Sequence, residues 1–171
     1  MSNNVRINNR VLKNIDGNQI TWRHMENDDG SGMYSRNGVR YFAIKLSDEF
    51  AEELENEGWP VIWRNEGDDE NPDRMKAYLK VFIRYGTPFP VDIYLINRDR
   101  MSKTLLEEND LDALHIDKKP IEFIDLEMRA YHWTYMDREG VKAQVVAMNI
   151  MLAQSGLDDD YEIVYKSDVN D

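Results

Sequence analysis

Apolar and polar residues alternate along most of this chain, and alternation with a period of two predicts β-strands rather than helices. Eight such stretches are separated by polar or glycine-containing segments: 5–12, 19–24, 39–46, 59–64, 75–85, 91–96, 121–135 and 141–151. The turn residues Asp16 and Gly17 predict that the first two strands pair as a hairpin. We expect the stretch 121–135 to form two pieces.

A short helix is predicted after the third strand. Ser47 is a typical N-cap residue, because its hydroxyl oxygen can accept a free backbone N–H of the first turn. Phe50, Ala51 and Leu54 have the spacing of one apolar helix face. Gly58 is expected to end the helix, since glycine adopts the left-handed conformation of a C-cap without strain.

A second short helix, through Leu114, is predicted from Thr104 and Glu107, which have the spacing of a capping box. The segment 26–38 is polar and contains three glycines, so we expect a mobile loop. Short strands with two small helices and no regular β-α-β alternation indicate a mainly β fold. A β-barrel is the first choice, and an α+β antiparallel sheet is the alternative.

Length and composition indicate one soluble domain. The chain has 171 residues, of which 42% are hydrophobic and 11% aromatic, enough to form a core. The absence of cysteine excludes a disulfide framework, a thiolate zinc site and a cysteine nucleophile. Because we find neither an apolar N-terminal segment nor about 18 consecutive apolar residues, we expect a cytoplasmic protein.

The net charge of −12 is unevenly distributed. Taken alone it argues against nucleic acid, because phosphates attract cations. However, the segments 48–57, 66–73 and 158–171 together hold 17 acids and one base. Since these segments carry a net −16, the rest of the chain has a net charge of +4. An acidic protein of this kind can still present a basic surface.

The stretch 75–85 has two different faces, since successive side chains of a strand point to opposite sides. Its odd-numbered residues are all apolar or aromatic and predict a core face. Its even-numbered residues alternate cation and aromatic ring: Lys76, Tyr78, Lys80, Phe82 and Arg84. Such a face is suited to binding single-stranded nucleic acid, because bases stack on rings at about 1–3 kcal/mol each while cations contact phosphates.

Two further strands have the same character. The additional candidate residues are Arg129, Tyr131, Trp133 and Tyr135 on one strand, and Tyr41 and Lys45 on another. If these strands are neighbours, they form a basic surface with aromatic rings, as OB-type domains use for single strands. The alternative is that the helices cover this face, so that the rings serve packing alone.

The C-terminus is strongly acidic. We divide the chain into a single-stranded nucleic-acid-binding domain, 1–156, and an acidic, disordered tail, 157–171. Such a tail can simply keep the protein soluble. Alternatively, it folds onto the basic surface until DNA releases it to recruit partner proteins.

No enzyme or metal site is predicted. The acidic loop 66–70 lacks the spacing of an EF-hand loop. His24, His115 and His132 lie far apart, without the spacing of a zinc site. The chain contains no phosphate-binding glycine loop or nucleophile motif. We therefore expect a non-enzymatic protein without a cofactor.

Most of the chain, from about residue 5 to 151, resembles small phage-encoded OB-fold single-stranded DNA-binding proteins. The segments that carry the resemblance are 40–44, 58–61, 78–81, 94–96, 103–105, 111–112, 124–126 and 129–133. The resemblance implies a protein that coats single-stranded DNA, without sequence preference, during phage replication or recombination. It also implies that the acidic C-terminus contacts replication or recombination proteins.

Two hypotheses of other classes stay open at this stage. An acidic inhibitor that mimics DNA, of the anti-CRISPR or anti-restriction type, would present ordered carboxylates from 48–73 to a host defence protein. An assembly protein would use its aromatic residues in a homo-oligomer interface. The first of these predicts a negative working surface, whereas DNA binding requires a positive one.

Overall fold

The computed structural model describes residues 8–26, 39–97 and 101–153. The predicted loop at 26–38, apart from Glu26, and the predicted tail at 157–171 lie outside these residues. So does the domain boundary placed after Gly156.

Within the described residues, nine strands and two α-helices confirm the mainly β prediction. The strands are β1 (Arg10–Asp16), β2 (Ile20–His24), β3 (Arg40–Leu46), β4 (Val61–Asn65), β5 (Met75–Ile83), β6 (Asp92–Ile96), β7 (Lys103–Leu106), β8 (Ile121–Tyr135) and β9 (Arg138–Leu152). The helices are α1 (Asp48–Glu57) and α2 (Glu108–Ala113), and short 3₁₀ turns span Gly17–Gln19 and Ile116–Lys118. The stretch predicted as two pieces is therefore one strand, β8, with irregular pairing at two points.

The strands form one sheet in the order β1-β8-β9-β5-β3-β2, with β4 beside β5 and with β6 between β9 and β7. The predicted β1–β2 hairpin is wrong, because β1 pairs with β8 and β2 pairs with β3. The turn signal itself is real: the Asp16 side chain accepts the N–H of Asn18 and caps the 3₁₀ turn. That turn carries the chain from one edge of the sheet to the other instead of reversing it.

The sheet curls into a half-barrel. Leu12 and Ile15 of β1 line the same groove as Ile44 and Leu46 of β3, although the two strands are not hydrogen-bonded neighbours. Most strand pairs are antiparallel, but β9 pairs in parallel with both β5 and β6.

The predicted core face of β5 is confirmed. Ala77, Leu79, Val81 and Ile83 are buried inside the curled sheet, whereas Met75 is exposed at the start of the strand. Apolar residues of the other strands and both helices complete one continuous core. Burial of this apolar surface is the main stabilising contribution to the fold.

Helix α1 has the predicted ends. The hydroxyl of Ser47 accepts the Phe50 N–H at 3.2 Å, and Gly58 ends the helix with a φ of 104°. Ala51 and Leu54 are buried against the sheet, as the apolar spacing predicts.

Helix α2 begins later than predicted. Thr104 lies in β7, opposite Leu95, so it cannot cap a helix. The helix instead begins at Glu108, and the Asp110 carboxylate accepts the Glu107 N–H at 2.8 Å. Strand pairing with β6 thus overrides the local capping signal.

Tyr85, just after β5, gives the fold a pH dependence at high pH. Its hydroxyl donates to the Leu106 carbonyl at 3.3 Å, and burial raises the pKa of Tyr85 to about 12. An unfolded tyrosine ionises near pH 10, so this contribution to stability is complete below about pH 10 and is lost as the pH rises towards 12. We expect the Tyr85→Phe variant to lose less stability than the wild type between pH 9 and 11, measured by urea unfolding. Equal losses in the two proteins would contradict this.

Candidate nucleic-acid interface

The cation–aromatic face of β5 lies on the outer side of the sheet. Strand β3 runs beside it, so that Tyr41 lies opposite Phe82 and Lys45 lies opposite Tyr78. These two candidate strands are therefore neighbours, as DNA binding requires. Arg84 follows the last residue of β5 and is exposed.

The third candidate strand, β8, is separated from β5 by β9. Gln144 of β9 pairs with Phe82 on one side and with Arg129 of β8 on the other. A row from Tyr41 through Phe82 and Gln144 to Arg129 thus crosses four strands on one face. At about 4.8 Å per strand, this row spans roughly 14 Å.

Beyond this row, β8 and β9 continue as a two-stranded ribbon, 129–142, which we call the arm. Within the described residues, the β1 pairing ends at Met128 and the β5 pairing involves only 143–144 of β9. The arm carries Tyr131 and Tyr135, which are 40% and 65% exposed. Trp133, between them, lies against Gly140 of the opposite strand.

We call the outer-face residues of these strands and of the arm the platform. Its members are Trp22, His24, Tyr41, Lys45, Lys76, Lys80, Phe82, Arg129, Tyr131, Trp133, Tyr135 and Lys142.

Tyr78 is the predicted site residue that the structure places differently. Its side chain is only 4% exposed because the Trp22 ring stacks on it, with centroids 4.4 Å apart. Its hydroxyl donates to the Glu66 carboxylate, and this hydrogen bond raises the pKa of Tyr78. A base cannot reach the Tyr78 ring in this arrangement. The ring that solvent reaches is Trp22, with the Arg64 guanidinium 5.2 Å from its centroid.

The centre of the platform is a cluster of rings and ammonium groups. Lys80 Nζ lies 3.9 Å from the Tyr41 ring centroid and 5.2 Å from that of Phe82. Lys142 Nζ approaches the same Phe82 ring at 5.0 Å. Burial, together with the neighbouring Lys142 charge, lowers the pKa of Lys80. The His24 ring extends the cluster, 5.1 Å from Tyr41.

Arg129 forms the other end of the row. Its guanidinium donates to the Gln144 side-chain oxygen at 2.6 Å, and its Cζ lies 3.8 Å from the Phe89 ring centroid. Burial lowers the pKa of Arg129, but an arginine in a protein stays charged. Phe89, between Pro88 and Pro90, is 52% exposed and offers a further ring to a base.

The residues at this site that were not predicted from the sequence are Trp22, His24, Arg64, Phe89 and Lys142. The sequence could have indicated Lys142 as an outer-face residue, since it alternates with the apolar residues of its strand. It gives no such indication for Trp22, because the register of β2 shifts after Thr21 and Trp22 adopts a φ of 47°. Local alternation therefore does not indicate which side it faces.

Charge divides the outer face of β8 into two halves. Asp125 and Glu127 precede the irregular pairing at Glu127–Met128, and Arg129 and the aromatic arm residues follow it. Among the described residues, no carboxylate lies within ion-pair distance of Lys76, Lys80, Lys142 or Arg129. Within this part of the chain, these four cations therefore have no carboxylate that competes with a phosphate for them.

Several acidic residues at 48–73 are engaged within the protein. Glu53 and Glu57 lie 3.1 and 3.6 Å from the Arg10 guanidinium. Asp68 accepts the backbone N–H groups of Glu70 and Asn71. Carboxylates held in this way do not form the free phosphate-like row that a DNA mimic requires.

The described residues contain no cluster of three or more histidines or carboxylates that could hold a metal ion. In the same part of the chain, no helix has the length and apolar character needed to cross a membrane.

The model of one family, described as "Putative phage ssDNA-binding domain", matches residues 1–170. The chain belongs to this family. It is a single-stranded DNA-binding domain of phage type, as the resemblance implied.

Two solved structures of this kind are similar to the chain. The C-terminally truncated single-stranded DNA-binding protein from bacteriophage Enc34 is 8% identical, with 86% of this chain and 87% of that chain covered and a TM-score of 0.46. The untruncated Enc34 protein is 10% identical, with 95% and 90% covered and a TM-score of 0.43. No curated protein matches the chain. The family assignment therefore rests on the family model.

Proposed function

We propose that the platform is the surface that contacts single-stranded DNA, without sequence preference, during phage DNA replication or recombination. The main support is the continuous outer face that joins aromatic rings to cations without carboxylate partners among the described residues. We infer that the protein acts in the host cytoplasm as a non-enzymatic binding protein and needs no cofactor. The proposal is compatible with either a monomer or a homo-oligomer.

The roles divide by chemistry. Phe82, Tyr131, Trp133 and Tyr135, with Tyr41 beside them, stack on bases, and Trp22 does so with Tyr78 supporting its ring. The platform cations Lys45, Lys76, Lys80 and Arg129 contact phosphates, together with Arg84, which directly follows β5. Stacking tolerates any base because every base has a π-face, so this arrangement predicts binding without sequence readout.

Titration of a fluorescent poly-dT of about 30 nucleotides, at two salt concentrations and beside a duplex, tests the proposal. We expect salt-sensitive binding to the single strand, and Lys80→Glu to weaken it by about tenfold or more at low salt. Lys103→Glu is the matched control: its Nζ lies 4.0 Å from the Tyr94 ring, as Lys80 lies against Tyr41, but outside the platform. If both variants bound like the wild type, the platform would not be the DNA-binding surface.

Gly140→Ala tests the arm. A Cβ at this position would lie 2.5 Å from Trp133 Cζ2, so the indole must move. We expect the affinity for poly-dT to fall by about 3- to 10-fold, as part of the stacking energy of one ring is lost. Glu139→Ala, at the exposed neighbouring position, is the control. Unchanged affinity despite a changed near-ultraviolet circular dichroism spectrum would exclude Trp133 from the interface.

We further propose that the acidic tail, 157–171, contacts replication or recombination proteins. Its charge supports this, since it holds six acids and one base over 158–171. A chain cut after Gly156 should retain single-stranded DNA binding and lose binding to such a partner, measured with the purified proteins of the same phage. If the shortened chain still bound the partner, the proposed role of the tail would be overturned, but the proposed DNA-binding surface would not.

A further inference from the structure

Lys80 and Lys142 are brought side by side by the parallel pairing of β5 and β9. Phe82 pairs with Gln144 in this ladder, and each lysine lies two residues before one member of that pair. Residues two apart on a strand share a face, so both side chains lie on the outer side. Their ammonium groups consequently approach one ring, Phe82, at 5.2 and 5.0 Å.

This arrangement is unfavourable for the unliganded protein. Two like charges repel each other, and here both are partly withdrawn from water by the surrounding rings. Among the described residues, neither ammonium group has a carboxylate within ion-pair distance. The lowered pKa of Lys80 has these same two causes, burial and the charge of Lys142. An anion between the two groups would remove the repulsion.

We propose that Lys80 and Lys142 together hold one phosphodiester of the bound strand. This inference rests on the proposed role of the platform and assigns a single phosphate subsite within it. In the free protein the ammonium groups lie against the rings of Tyr41 and Phe82. A phosphate that draws them together also moves them off the Phe82 ring, which becomes free for the adjacent base. Phosphate binding and base stacking are thereby coupled at this position.

Salt dependence distinguishes a shared phosphate from two separate ones. Each phosphate contact to a single strand contributes about 0.7 to the slope of log affinity against log salt. If one phosphate is shared, Lys80→Met and Lys142→Met each leave the slope nearly unchanged, and the double variant lowers it by about 0.7. If the lysines hold separate phosphates, each single variant lowers the slope by about 0.7 and the double variant by about 1.4. Lys103→Met is the control that should leave the slope unchanged.

The outcomes separate this inference from the proposed function. If each single variant binds more weakly and lowers the slope of log affinity against log salt, the shared phosphate subsite is overturned. The proposal that the platform binds DNA then still holds. Wild-type affinity and slope in all three variants overturn the role of this part of the platform.

The protonation of Lys80 provides a second test by NMR of ¹³C-labelled lysine. We expect its pKa to rise on addition of dT oligonucleotide and also in Lys142→Met, because each change removes the repulsion. An unchanged Lys80 pKa in both cases overturns the inference. Inorganic phosphate is the probe for a general anion site. If millimolar phosphate raises the Lys80 pKa as fully as the oligonucleotide does, the subsite is not specific to a DNA strand.

Discussion

Replacing Arg40 with methionine is expected to lower the free energy of unfolding by about 3 kcal/mol. Arg40 lies on the core face of β3 and is only 1% exposed. Its guanidinium donates to both Asp112 carboxylate oxygens, at 2.8 and 3.1 Å, and to the Met25 carbonyl at 2.7 Å. Breaking a buried ion pair typically costs about 3–5 kcal/mol, and the lower value applies because the Asp112 side chain is one-third exposed.

Urea unfolding monitored by tryptophan fluorescence measures this effect. Arg64→Met is the matched control, since Arg64 is exposed on the outer face of β4. This substitution should change the free energy of unfolding by less than about 0.5 kcal/mol. A loss in Arg40→Met no larger than that of the control would show that the ion pair with α2 contributes nothing net. The result matters for the site because the same strand carries Tyr41.

The sequence predicts the β5 faces well because their cause is local. A strand alternates its side chains whatever its neighbours are, so the buried Leu79 and the outer Lys80 follow directly from the order of residues. The same holds for the ends of α1, where Ser47 and Gly58 act within one turn of the helix.

Strand partners are not local, and the errors lie there. Arg10 of β1 pairs with Met128, far along the chain, and no turn signal at Asp16 contains that information. The Thr104 capping signal is outweighed for the same reason, because its backbone pairs with β6. A local sequence pattern predicts that a strand or helix forms, but it does not predict which strand lies next to it.

The platform shows the same division between local and distant causes. Its cations and rings on β5 are visible as an alternating pattern. The position of Lys142 beside Lys80, in contrast, depends on a parallel ladder between residues that are 62 positions apart in the sequence. Likewise, the burial of Tyr78 depends on a shift of register in β2 that places Trp22 over it. The residues predicted from the sequence therefore lie on one outer face, but one of the predicted rings, Tyr78, is covered by Trp22.

Phe82→Leu is expected to produce the largest loss of DNA affinity among single neutral substitutions on the platform. Phe82 lies at the centre of the row, with the Tyr41 ring centroid 6.0 Å away and both lysine ammonium groups beside it. Leucine retains an apolar side chain but cannot stack on a base. Since stacking contributes about 1–3 kcal/mol per base, the dissociation constant for poly-dT should rise by roughly 5- to 150-fold.

The salt dependence separates this loss from an electrostatic one. Phe82→Leu removes no charge, so the slope of log affinity against log salt should remain that of the wild type, in contrast to the lower slope expected for the double variant of Lys80 and Lys142. Tyr94→Leu is the matched control, because Tyr94 is an aromatic residue that lies under a lysine outside the platform. If Phe82→Leu weakened binding no more than Tyr94→Leu does, the central ring would serve packing alone. DNA binding would then depend on the arm, where Trp133 and Tyr131 become the residues to substitute.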